Sequence, residues 1–178
     1  MKGKETFRMY PGTPFCDIGE CPYREAIARC YSRGWFLGMA ATRFGPDRPL
    51  ERAMLAAVLH RVAGCPQPPR RGLFFDVSPR SYCAQAADWC ACQGILPGLG
   101  QGRFFPGRAV SWEELLLALW RWKGCPGGGE APGEIWARAR GFALPEDLYR
   151  PLALWRWEGR PGGGQLFPAP VTAVPPAA

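Results

Sequence analysis

The sequence is poor in lysine and histidine. Of 22 basic residues only Lys2, Lys4 and Lys123 are lysines, which leaves 19 arginines, and His60 is the single histidine. No apolar run approaches the roughly 20 residues of a bilayer-spanning helix, so membrane insertion is not expected. The polar stretch Met1–Tyr10 has no apolar h-region, so no signal peptide is expected from it. C-x2-C pairs are missing, which removes the usual zinc signature. Gly127-Gly128-Gly129 lacks the Lys-Ser/Thr of a phosphate-binding loop, and no nucleophile elbow occurs. With one histidine and none of these motifs, no catalytic residue, metal or cofactor is expected.

What is present is a chain of 178 residues, 47% hydrophobic, long enough for one packed domain. Gly (23) and Pro (20) are frequent enough to favour loops and short elements over long helices or a large sheet. The net charge of +7, carried by arginine, favours an acidic partner such as a polyanionic glycan, a nucleic acid or an anionic surface. A GC-rich genome produces the same bias. The eight cysteines (16, 21, 30, 65, 83, 90, 92 and 125) read first as free thiols acting as small apolar residues, with disulfides and metal as the alternatives.

The informative feature is an internal repeat. Sliding the chain by 60 residues lays Ala26–Pro66 over Ala86–Pro126 without a gap. Cys30, Gly34, Gly38, Arg43, Phe44, Pro46, Arg48, Leu55, Leu59 and Arg61 fall on Cys90, Gly94, Gly98, Arg103, Phe104, Pro106, Arg108, Leu115, Leu119 and Arg121. Upstream, Phe15-Cys16-Asp17-Ile18 resembles Phe75-Asp76-Val77 with one residue of slippage. A third, shortened copy carries Leu117–Trp122 over to Leu152–Trp157, having lost 12 residues of the glycine-rich loop. His60 becomes Trp120 and Trp155 in the other copies, an exchange that suits packing and not a general base.

Each full copy reads as helix, loop, helix. Over Tyr23–Arg33, Ile27, Cys30 and Tyr31 form an apolar stripe, and Gly34 stands where a left-handed residue ends a helix. A second helix runs from about Glu51 to Val62, with Met54, Leu55, Val58, Leu59 and Val62 on one face. In copy two Ser111 and Glu114 have the spacing of a capping box. One such hairpin buries too little alone, so neighbouring copies must pack together. The expected architecture is all-α: three helix-loop-helix repeats closed into a pseudo-threefold bundle. The expected divisions are an N-terminal extension (1–13), repeat one (14–66), repeat two (67–126), a truncated repeat three (127–159) and a Pro/Gly/Ala-rich disordered tail (160–178).

The order F-x-D-[IV], A-I, G-x-x-x-G, F-x-P and a second helix ending L-x-R-x-x-G resembles the S-layer homology (SLH) domain. The residues are Phe15, Asp17, Ile18, Ala26, Ile27, Gly34, Gly38, Phe44, Pro46, Leu50, Arg52, Leu59, Arg61 and Gly64. The family's I-T-R-A-E hallmark stands as Leu50-Glu51-Arg52-Ala53-Met54, then Val110-Ser111-Trp112-Glu113-Glu114, then Pro145-Glu146-Asp147-Leu148-Tyr149. The resemblance covers about residues 14–159. It implies an SLH-like bundle whose clefts hold secondary cell-wall polysaccharide, often pyruvylated, or a peptidoglycan-linked glycan, anchoring the protein at the cell surface without catalysis.

Under that resemblance the ligand-binding candidates are Arg52, Asp17, Gly38, Asp76, Gly98, Ser111, Trp112 and Glu114. An arginine in the first turn of a helix suits a carboxylate, aided by the helix amides. Gly38 and Gly98 let backbone approach a sugar. Trp35, Trp112, Trp120 and Trp155 are stacking candidates, with core packing as the plainer role. Asp17 and Asp76 otherwise cap a helix or turn, and Arg52 is otherwise a solvated helix residue. The cleft nearest Arg52 is the expected site. The alternatives are a degenerate SLH-like scaffold for protein–protein contact or a basic nucleic-acid-binding domain; the latter is disfavoured because the arginines are scattered over loops and helix ends.

Overall fold

Glycine ends every helix in residues 9–124, the part of the chain that the computed structural model describes. This region is all-α, with no strand among the described residues: α1 (Arg24–Ser32), α2 (Arg52–Val62), α3 (Ala84–Cys92) and α4 (Trp112–Trp122). Gly34, Gly64, Gly94 and Gly124 follow them at φ 70°, 84°, 68° and 76°. At the first three the hydrogen bonds are those of a Schellman motif. The Gly34 N–H donates to Tyr31 O (2.8 Å) and the Trp35 N–H to Cys30 O (2.9 Å), and the same pairs recur around Gly64 and Gly94. The expected stops therefore hold, with α1 one residue shorter at each end and Glu51 serving as the N-cap of α2.

The described residues fall in two compact units that divide between Pro49 and Leu50. In the first, α1 buries Ala26, Ile27 and Cys30. Phe15, Phe36 and Phe44 form its aromatic core at centroid separations of 5.6 Å for the Phe15–Phe44 and Phe36–Phe44 pairs, and Tyr31 closes on Phe15 edge-on at 5.2 Å.

In the second unit α2 packs on α3. Small residues make this possible: Ala53, Ala56 and Ala57 on α2 and Ala86 and Ala87 on α3 are all buried, and the Cys90 Sγ lies 3.9 Å from Ala56 O. Arg52, Ala53 and all of Leu55–His60 are buried, so α2 is covered on more than the one face its periodicity predicts. His60 is a packing residue, with its Nε2 2.8 Å from Pro66 O and its ring 5.5 Å from that of Trp89. Asp88, 6% exposed on α3, accepts the Gly72 and Leu73 N–H groups at 2.8 and 3.0 Å and ties the connector to the helix. α4 opens with the expected capping box: the Ser111 hydroxyl accepts the Glu114 N–H and Glu114 Oε2 accepts the Ser111 N–H, both at 3.2 Å.

The repeat is a repeat of loop geometry as well as of sequence. The Met39 N–H donates to Arg43 O and the Arg48 N–H to Gly45 O; 60 residues on, Leu99 donates to Arg103 O and Arg108 to Phe105 O. One register changes. The buried counterpart of Phe15 is Phe74, which meets Phe104 at 5.1 Å, whereas Phe75 is 69% exposed. The alignment of Phe15 with Phe75 is thus one residue out, because two adjacent phenylalanines compete for one core position.

None of the seven described cysteines is in a disulfide; Cys21, Cys30, Cys83 and Cys90 are buried and Cys65 is exposed. No helix among the described residues is long and apolar enough to cross a membrane. The truncated third copy, the tail, Cys125 and Trp155 lie outside the described residues, and with them the threefold closure that needs them.

Candidate ligand-binding surface

Both predicted aspartates clamp a loop. In the first unit Asp17 Oδ1 and Oδ2 accept the N–H groups of Phe44 and Gly45, each at 2.9 Å. In the second, Asp76 accepts those of Phe104 and Phe105 at 2.8 Å each. Desolvation raises the Asp76 pKa, but the two N–H donors, helped by the nearby Arg103 charge, outweigh it and hold the carboxyl below the usual carboxylate range. The same carboxylate geometry built twice is the physical content of the F-x-D and F-x-P spacings.

Gly38 and Gly98 serve the interior. A Cβ on Gly38 would stand 2.4 Å from Phe15 Cε1 and 2.7 Å from Arg43 O; on Gly98 it would stand 2.8 Å from Phe74 Cε1 and 3.0 Å from Arg103 O. Each glycine is required because a phenyl ring and a carbonyl occupy the space of a side chain, which replaces the expected reason, close approach of a sugar.

Arg52 departs furthest from expectation. It is 2% exposed. Its Nε donates to Phe104 O (2.9 Å), its Nη2 to Pro97 O (2.7 Å) and its Nη1 to Glu114 Oε1 (3.1 Å), while the guanidinium carbon lies 4.7 Å from the Phe104 ring centre. Burial pushes its pKa down, Glu114 opposes that shift, and the like charge of Arg108 adds to it. The helix amides expected to help an anion are also taken: the Arg52 N–H donates to Arg108 O and the Ala53 N–H to Pro106 O. The first turn of α2 is thus closed by loop carbonyls, and Arg52 is an internal strut instead of a surface fork.

The surface arginine here is Arg108. Its side chain is 43% exposed and its Nη2 donates to Glu114 Oε1, the oxygen that also receives Arg52. Glu114 therefore joins a buried arginine, an exposed arginine and the cap of α4. Arg52, Ser111 and Glu114 come together, and the loop carrying Gly98 and Asp76's partners Phe104 and Phe105 completes the cluster; Trp112 contributes the first residue of α4. Asp17 and Gly38 belong to the other unit. Sequence reasoning did not single out Arg108 as a member of this cluster, although its identity with Arg48 in the repeat was the available signal. Among the described residues no group of three or more His, Cys, Asp or Glu side chains forms a metal-binding cluster.

No family model matches this chain. Over 115 residues it is 26% identical to a cell surface protein of Thermoanaerobacter kivui, a match covering 61% of this chain and 15% of that protein. Over 115 residues it is 27% identical to an endo-1,4-beta-xylanase A of Thermoanaerobacterium saccharolyticum, covering 65% of this chain and 10% of that protein. The chain thus spans only a small part of the curated relatives it matches.

Proposed function

We propose that this chain is a non-catalytic anchoring module of the bacterial cell surface, SLH-like in construction, that holds an acidic, pyruvyl-ketal-bearing secondary cell-wall polysaccharide. The observation that carries the reading is the Arg52–Glu114–Arg108 cluster. One carboxylate faces two guanidinium groups, which leaves one positive charge in surplus and the outer fork on the surface. A ligand carboxylate would complete that balance through charge-assisted contact. Two relatives with unlike names match over a small part of their length. A segment shared in that way suits location better than chemistry. The fork is Arg108 in this reading, and Arg52 holds the loop and Glu114 beneath it.

A second reading is favoured by the burial of Arg52: the hallmark arginine serves the fold, as it would in an SLH-like scaffold that binds protein and not glycan. Co-sedimentation of the full chain with purified, pyruvylated bacterial cell walls separates the two. Anchoring predicts retention of the wild type and about tenfold weaker retention of Arg108→Gln, the usual scale for one exposed charge-assisted contact. A wild-type chain left wholly in the supernatant favours the scaffold, and retention abolished by competing DNA favours the nucleic-acid reading.

A further inference from the structure

Copy two carries a surface cluster that copy one lacks. Phe75 is 69% exposed and Phe105 38% exposed. The guanidinium carbon of Arg103 lies 4.9 Å from the Phe75 ring centre and 5.8 Å from that of Phe105. At the matching places in copy one stand Cys16, Gly45 and Arg43. The arginine is common to both loops and the two rings are not.

Phe105 is also held in an unfavourable backbone conformation. Its φ is +57°, in the left-handed region, where Gly45 sits at +77° in the other loop. A bulky residue there is a conformational outlier, and such outliers gather at functional sites. Interior packing does not account for it, because the ring is on the surface. Its backbone is fixed all the same: Asp76 accepts the N–H groups of both Phe104 and Phe105, so the loop bearing Arg103 and Phe105 is clamped beside Phe75. The Arg103 guanidinium lies against the two rings, and its charge is felt by the Asp76 carboxylate that clamps the loop.

We infer that Phe75, Arg103 and Phe105 form a second contact for the polysaccharide, taking one carboxylate-bearing sugar residue. This rests on the anchoring reading above. The planar fork of Arg103 matches a carboxylate, and the phenyl faces match the C–H face of a pyranose ring. A rigid aromatic pair loses little conformational entropy on binding. The positive charge of the chain complements a repeating acidic polymer, and two contacts on one unit would engage it as a chain instead of as a single sugar.

The test uses the full chain, isolated pyruvylated wall polysaccharide, and the same polymer after mild acid has removed the ketal. Phe75→Ser is expected to raise Kd about tenfold toward both polymers, since it removes stacking. Arg103→Gln is expected to raise it about tenfold toward the intact polymer and to have no effect toward the ketal-free one. Phe105→Gly, which installs the residue that copy one tolerates, weakens binding without loss of thermal stability. Wild-type affinity in all three variants overturns the inference and leaves anchoring standing. Failure of the wild type to bind either polymer overturns anchoring itself. Binding of oligothymidylate that Phe75→Ser abolishes, with polymer binding unchanged, assigns the rings to nucleic acid and also overturns the inference.

Discussion

Replacing Arg52 with methionine keeps most of the side-chain volume and the contact with Phe104 but removes three hydrogen bonds. Glu114 is not stranded, because Arg108 and the Ser111 N–H still engage it. The carbonyl of Phe104 loses its donor inside the core, where an unsatisfied buried acceptor costs about 1–3 kcal/mol, whereas Pro97 is exposed and its carbonyl can turn to water. Relief from burying a guanidinium offsets part of this. The net expectation is a loss of about 1–3 kcal/mol, which for a structure of this size lowers Tm by roughly 4–12 °C. Arg52→Lys recovers little, since a compact ammonium cannot span acceptors on Pro97, Phe104 and Glu114 together. Arg108→Gln removes an exposed pair and changes stability by about 0–1 kcal/mol. Thermal unfolding followed by circular dichroism measures all three. An Arg52→Met Tm within about 3 °C of wild type, or an equal loss in Arg108→Gln, refutes the strut.

Other expectations follow from the same geometry. The ionised form of Asp76 accepts two backbone N–H bonds and its folded pKa is depressed. Its contribution is therefore full above an unfolded value of about 3.9 and is lost as pH falls through the lower folded value. Asp76→Asn should be less stable than wild type at pH 7, with the gap closing below about pH 4 in urea titrations; a gap independent of pH contradicts the clamp. Burial pushes the Cys90 thiol up to about 12. Its unfolded value is about 8.5, so its stabilising effect is complete below that pH and falls as pH rises toward the folded value. Alkylation at pH 8.5, read by peptide mass spectrometry, should mark exposed Cys65 and spare Cys90 until the protein unfolds; equal labelling rates refute the burial. Gly34→Ala meets open space and loses about 1 kcal/mol to its left-handed backbone, whereas Gly38→Ala also drives a methyl into Phe15 and Arg43 and should lose roughly 3 kcal/mol or more. Equal losses in urea unfolding would remove the packing explanation for Gly38.

Much of the local structure was legible in the sequence, because its causes are local. Glycine after an apolar stripe located the helix ends, and Ser111 with Glu114 located the start of α4. The repeat carried the loop register from Phe44 to Phe104. The role of Arg52 was not legible. Its partners at Pro97, Phe104 and Glu114 lie 45, 52 and 62 residues away, and two of them are carbonyls that any residue type supplies. The same blindness hid the burial of α2 on more than one face, which comes from α3 and from loop carbonyls and not from its own periodicity. Phe74 and Phe75 could not be told apart, since only packing decides which ring is inside. Phe105 could have been singled out: it breaks the repeat where the other copy has a glycine at positive φ.

Calorimetric titration of the full chain with isolated pyruvylated wall polysaccharide, beside the same polymer stripped of its ketal, tests anchoring most directly. Saturable binding to the intact polymer, weakened at least about tenfold by ketal removal and weakened also by added salt, is the predicted result. Equal heats with both polymers, or none with either, would contradict recognition of an acidic glycan by this surface.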